Sequence, residues 1–236
     1  MNSAAFSFRQ VPALLRGETE AVAPWTEAAS PARLATWLAV TTGGAAAFGA
    51  AMGWWRAPEQ ALYTAVKLPL VLLLTALGNA LLNAMLAPLL GVNIGLRQSL
   101  LAVLMSFTIA GAILGGVAPL LAFVIWNAPP LACAASAGGT HAFILLTITG
   151  AIAFAGVAAN VRLFRLLARL GGGATGAWRV LFAWLAVNLF FGSQLAWILR
   201  PFVGSPGLPV QFLRDEPLKG SFYEAVWFSL GRLFGS

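Results

Sequence analysis

Residues 100–126 read LLAVLMSFTIAGAILGGVAPLLAFVIW, 27 positions without a charged side chain. A helix rises about 1.5 Å per residue, so this stretch exceeds the roughly 30 Å hydrocarbon core of a bilayer. A run of this length predicts a transmembrane helix, and the rest of the chain agrees. Hydrophobic residues make up 60% of the 236 positions and charged residues 9%. The mean hydropathy is +0.85. An ordinary soluble domain carries roughly 25% charged residues. So few charges do not cover a soluble surface, and the composition predicts an all-α integral membrane protein.

Working outward from that span, four others are bounded by charges. They run over about Leu34–Trp55, Leu68–Leu90, His141–Val161 and Val180–Leu199. Trp54 and Trp55 close the first, as an interfacial aromatic belt requires. Five is the expected count. The Ala- and Gly-rich first span is the weakest, so four or six stay open. The expected domains are an N-terminal cytoplasmic or interfacial segment (1–32), a five-helix bundle (33–199) and an extracytoplasmic cap (200–236).

Lys and Arg total 14 against 7 Asp and Glu, a net charge of +7. No basic run is interleaved with aromatics, which argues against nucleic acid. The excess suits topology and anionic lipid instead. With the N-terminus inside, the inner side holds Arg9, Arg16, Arg33, Arg97, Arg162, Arg165, Arg169 and Arg179. The outer side holds Arg56, Lys67, Arg200, Arg214, Lys219 and Arg232. The connection 127–140 has no charge and 162–179 has four Arg, so the expected orientation is N-in and C-out. The single cysteine, Cys133, excludes an intrachain disulfide and a CxxC metal site. The first residues lack a cleaved-signal pattern, so an uncleaved N-terminus is expected.

Both ends have character. Phe6, Phe8, Val11, Leu14 and Leu15 fit one apolar face of a short helix lying on the membrane, with a loosely ordered tail as the equal alternative. Residues 200–219 contain Pro201, Gly204, Pro206, Gly207 and Pro209, which forbid a regular helix. Beyond them Phe222, Tyr223, Val226, Trp227, Leu230, Leu233 and Phe234 recur at helical spacing. An amphipathic C-terminal helix is expected there, too short to span.

No Asp or Glu falls inside any of these spans. Proton-coupled carriers and intramembrane metalloproteases rely on buried carboxylates or His clusters. The sole histidine, His141, stands at a span edge and reads as a hydrogen-bonded or interfacial residue. Ser193 and Ser229 lack a nucleophile motif. Residues 171–176 fit G-x-G-x-x-G formally, but follow a membrane helix where the dinucleotide fingerprint needs a strand. Neither a catalytic residue nor a cofactor or metal site is expected.

Thr75, Asn79 and Asn83 recur every four residues, one polar line down the second span. An amide in hydrocarbon needs a partner, and Asn188 and Gln194 of the fifth span are candidate mates. Gly49 and Gly53, and Gly111 and Gly115, fit G-x-x-x-G and allow close helix approach, within the chain or to another protein. Arg162, Arg165 and Arg169 share a face where the fourth helix continues past the membrane, either setting topology or meeting lipid phosphates.

The run Gln194-Leu-Ala-Trp197-Ile-Leu-Arg200-Pro201-Phe202-Val-Gly204-Ser205-Pro206 is the most distinctive. Arg200 suits the negative end of the fifth helix, and Pro201 stops it. An ordered cap over the outer end of the bundle is expected. Arg200 has Asp215, Glu216 and Glu224 as candidate partners; unpaired near lipid, Arg200 and Arg214 would instead hold a phosphate. With Phe212-Leu-Arg214 and Phe222-Tyr-Glu224, the stretch resembles the signature Q-x-x-W-x-L-R-P-F-x-G-S-P, then F-L-R and F-Y-E, of an uncharacterised family of bacterial multi-pass membrane proteins. The resemblance covers about residues 190–226, under a fifth of the chain. It implies a multi-pass architecture and a bacterial inner membrane, and no activity.

Three functions fit these features. The first is a non-catalytic scaffold, anchor or accessory subunit of a larger membrane complex, with membrane lipids and other subunits or a second copy as partners. The second is a small-solute channel or carrier along Asn79 and Asn83. The third is a lipid-handling protein at Arg200 and Arg214, with Gln194 and Trp197 beside them.

Overall fold

A computed structural model describes residues 10–27, 30–90, 95–129, 137–170, 174–204, 207–224 and 227. Among these there is no strand. Two short helices, α1 (Val11–Arg16) and α2 (Thr19–Val22), lead through a 3₁₀ turn, Ala23–Thr26, to five long ones. These are α3 (Pro31–Trp54), α4 (Pro58–Leu89), α5 (Leu96–Trp126), α6 (Ala137–Leu170) and α7 (Ala174–Ile198). All five are long and apolar enough to cross a membrane. The chain is a multi-pass membrane bundle, as its composition predicts.

Local chemistry sets several boundaries. Ser30 caps α3, its Oγ accepting the Arg33 backbone N–H at 3.3 Å, and Pro31 sits at the first helical position. Gln98 accepts the Gly95 backbone N–H at 3.3 Å and closes the start of α5. The second span begins ten residues before the expected Leu68. Pro58 opens α4 directly after the corner at Arg56, so Lys67 lies inside the helix and not in an outer loop. Glu59 falls in the first turn of α4, so this helix does carry an acid at its end.

Helix α5 is the centre, packed against α3, α4 and α6, while α7 lies at the edge against α4 and α6. Glycines permit the tightest approaches. A Cβ on Gly44 would run into the Gly111 carbonyl, and one on Gly49 would stand 2.5 Å from Thr64 O. Gly53 meets the Gln60 carbonyl in the same way. Both G-x-x-x-G pairs therefore serve packing inside the chain, Gly49 and Gly53 against α4 and Gly111 and Gly115 against α3.

Two apolar clusters divide the bundle lengthwise. One includes Trp37, Met105, Leu167 and Trp184, and Leu14 of α1 joins it at 2% exposure. The N-terminal segment thus docks onto the bundle through Leu14. Phe6 and Phe8 of the expected amphipathic face lie outside the described residues. The other cluster includes Phe48, Trp55, Leu121, Ile144 and Val203. It stands at the end covered by the chain after α7. Of the expected C-terminal helix, residues 222–224 and 227 are helical, and the remainder lies outside the described residues. So do Ser205, Pro206, Cys133 and Gly171–Gly173, while Ala174, Thr175 and Gly176 of the glycine-rich motif form the first turn of α7.

Candidate functional site: a polar clamp and a cationic groove

Pro201 ends the last long helix, because it has no N–H to continue the ladder. The Arg200–Pro201 peptide is cis. The chain then folds back over the bundle, burying Pro201 and Val203. Its carbonyls point at side chains of α4 and α6. The Gln60 amide donates to Phe202 O at 2.7 Å and Pro201 O at 3.0 Å. The Thr64 hydroxyl stands 2.8 Å from Phe202 O and 2.8 Å from Gln60 O. The Lys67 ammonium donates to Pro201 O at 2.9 Å.

Gln60, Thr64 and Lys67 are all fully buried. Their spacing of four and three places them on one face of α4. The ammonium is enclosed by rings, 4.8 Å from the Phe212 centroid, 5.9 Å from Phe202 and 6.0 Å from Tyr63. Tyr63 and Phe212 meet edge to face at 5.4 Å. The Pro201 carbonyl oxygen and the π faces thus replace the carboxylate that a buried cation ordinarily requires.

The other side of the cap is fixed from α3 and α6. His141 Nε2 lies 3.0 Å from Gly204 O, and the imidazole stacks on Trp55 at 5.8 Å. The single histidine is therefore a hydrogen-bonded structural residue, as its solitary position suggests. Gly204 has φ +81°, a conformation side chains rarely adopt, and Arg56 Cγ stands 3.0 Å from where its Cβ would be. Arg56 itself donates to Leu208 O at 3.0 Å.

Arg200 does not pair with Asp215, Glu216 or Glu224. Its guanidinium lies over the Trp197 ring, with Cζ 3.8 Å from the centroid, and donates to Trp197 O at 2.8 Å. Glu216 is taken by Lys219 at 2.8 Å. The Arg214 backbone N–H donates to Arg200 O at 3.3 Å, which draws the second arginine in. Arg214 Nη1 then donates to Gln211 Oε1 at 3.2 Å and Pro209 O at 3.3 Å. The two arginines line an open groove of about 500 Å³ with Leu208, Pro209, Gln211 and Asp215. Burial, and then the nearby Arg214 charge, hold the Arg200 guanidinium below its usual pKa.

The intramembrane polar line continues along the same face of α4. Thr75, Asn79 and Asn83 are at most 4% exposed. Asn83 Nδ2 donates to Asn79 Oδ1 at 2.6 Å, so the two amides pair within one helix through a single bond. The expected mates do not take part: Asn188 Oδ1 and Gln194 Oε1 are buried without a partner among the described residues, as are Thr75 Oγ1 and Asn83 Oδ1. A Cβ on Gly192 of α7 would stand 3.7 Å from the Thr75 side chain.

On the arginine face of α6, Arg162 and Arg169 meet the N-terminal segment. Arg162 Nε donates to Leu15 O at 2.7 Å, and Nη1 donates to Ala158 O at 2.9 Å. A Cβ at Gly17 would sit 3.2 Å from Arg162 Cγ and 3.6 Å from Arg165 Nη1. Arg169 reaches Glu20 at 3.6 Å on the exposed surface.

Gln60, Thr64, Lys67 and Arg56 escape a reading that separates spans by charge. A signal was present in the i, i+4, i+7 spacing of Gln60, Thr64 and Lys67, which extends the Thr75–Asn79–Asn83 line toward the N-terminus of α4. No family model matches this chain, nor does any curated protein or solved structure.

Proposed function

We propose that the chain is a non-catalytic component of a larger membrane assembly, serving as scaffold, anchor or accessory subunit. The observation that carries this reading is the open state of α7. Only 11% of its most apolar stretch is buried in the chain, against 50% for α5. It packs against α4 and α6 at the edge of the bundle and leaves large side chains such as Phe182, Leu189 and Phe190 exposed. A helix face left uncovered by its own chain is free to pack against another helix. Gln60, Thr64 and Lys67 of α4 support the same reading, since they bind the chain's own cap. A bacterial inner membrane, with the N-terminus and the Arg162–Arg179 segment in the cytoplasm, fits the arginine distribution and the resemblance over 190–226.

The test is photo-crosslinking in native membranes from probes at Leu189 and Phe190, both about 60% exposed on α7. One discrete membrane-protein adduct, absent from a probe at Phe154 of α6, supports the reading. Adducts to lipid alone contradict it.

A further inference from the structure

We propose that Arg200 and Arg214 form a phosphate-binding site, with an anionic phospholipid head group as the occupant. Four observations converge. First, neither guanidinium has an acidic partner within 4.0 Å among the described residues. Two like charges held together in a partly buried place call for a counter-ion. Second, both are pre-positioned. Arg200 is held over the Trp197 ring and bonded to Trp197 O, and Arg214 is fixed through its backbone to Arg200 and through Nη1 to Gln211. Their Nε and Nη2 groups make no bond to the described residues, so each retains the edge that binds a phosphate through two parallel hydrogen bonds.

Third, the groove between them, at about 500 Å³, is large enough for a phosphate and part of a glycerol. Fourth, its surroundings favour a lipid over a free ion. Leu208, at 49% exposure, lines the groove, and the adjacent Phe212, Leu213 and Leu218 are also exposed. Apolar side chains beside a paired-arginine groove, at the end of a membrane helix, match a molecule with an anionic head and acyl chains. Asp215 is the one acid in the groove wall, and it opposes the anion.

The full chain in neutral detergent, or in nanodiscs of phosphatidylcholine with or without phosphatidylglycerol, gives the test. Native mass spectrometry counts retained lipid, and inorganic phosphate is titrated as competitor. Retention of phosphatidylglycerol over phosphatidylcholine should be about tenfold or more, as lost charge-assisted hydrogen bonds imply. It should vanish in Arg200→Gln/Arg214→Gln and persist in the control Arg97→Gln. Asp215→Asn should tighten retention. Displacement by millimolar phosphate would identify the phosphate group as sufficient, and resistance to it would assign the site to the whole lipid. Equal retention of both lipids overturns the proposal. If the double arginine variant does not fold, unchanged retention in Asp215→Asn overturns it equally.

Discussion

The Lys67 ammonium lies 2.9 Å from the carbonyl oxygen of Pro201, a residue 134 positions further along the chain. A cation inside a membrane bundle is expensive, and here backbone oxygens and aromatic faces bear the cost in place of an acid. The contact ties the middle of α4 to the segment that follows the last span. Lys67→Met keeps the length of the side chain and removes the donor. The bond to a charged group is worth about 1.5–3 kcal/mol, and relief of the buried charge offsets part of that. The expected outcome is a modest fall in thermal midpoint with a clear rise in thiol labelling of a cysteine placed at Leu208. Lys67→Glu sets a carboxylate against Pro201 O and should release the cap altogether.

His141 tests the same clamp from the other side. His141→Phe retains a ring to stack on Trp55 and loses the contact with Gly204 O. One neutral hydrogen bond is worth about 1 kcal/mol. Labelling at Leu208 should rise less than in Lys67→Met. Equal labelling in wild type and variant would show that the His141 contact does not hold the cap.

Glycine substitutions separate tight helix seams from open surface. Gly44→Ala drives a methyl into the Gly111 carbonyl and should destabilise by about 1–3 kcal/mol or more. Gly43, one residue away, has nothing within 4 Å of its Cβ position. Gly43→Ala should be neutral or slightly stabilising, because alanine favours the helix by up to about 1 kcal/mol. Thermal unfolding in detergent checks both.

At the opposite end, Arg162 secures the N-terminal segment. Arg162→Ala removes the bond to Leu15 O and should expose the chain around Arg16 to trypsin while the five spans stay folded. Glu20→Ala breaks only the exposed contact with Arg169, and surface pairs are worth about 0–1 kcal/mol. Its proteolysis rate should match wild type.

Much of this architecture is readable from charge and length. The five spans and the continuation of α6 to Leu170 follow from hydrocarbon thickness, and the ordered cap follows from Arg200-Pro201 and the glycines after it. Lys67 is misplaced by the same logic. A charge ordinarily marks a span boundary, and a partner made of backbone carbonyls leaves no trace in side-chain identity. The amides mislead differently: Asn79 and Asn83 look like a line awaiting another helix, yet spacing of four lets one serve the other. The arginines of α6 resemble a lipid-facing stripe because the carbonyl of Leu15, like any backbone acceptor, is invisible in composition. The tight α3–α5 and α3–α4 seams were signalled by paired glycines, whose partners only the packing reveals.

The most direct test of the central claim is native mass spectrometry of the chain extracted from its own membrane in detergent-free polymer discs. An accessory or scaffold role predicts a defined complex, with a second membrane protein in fixed ratio that is lost when Phe182 and Leu189, exposed on α7, are replaced by alanine. A lone chain carrying only lipid, unchanged by those replacements, would contradict it.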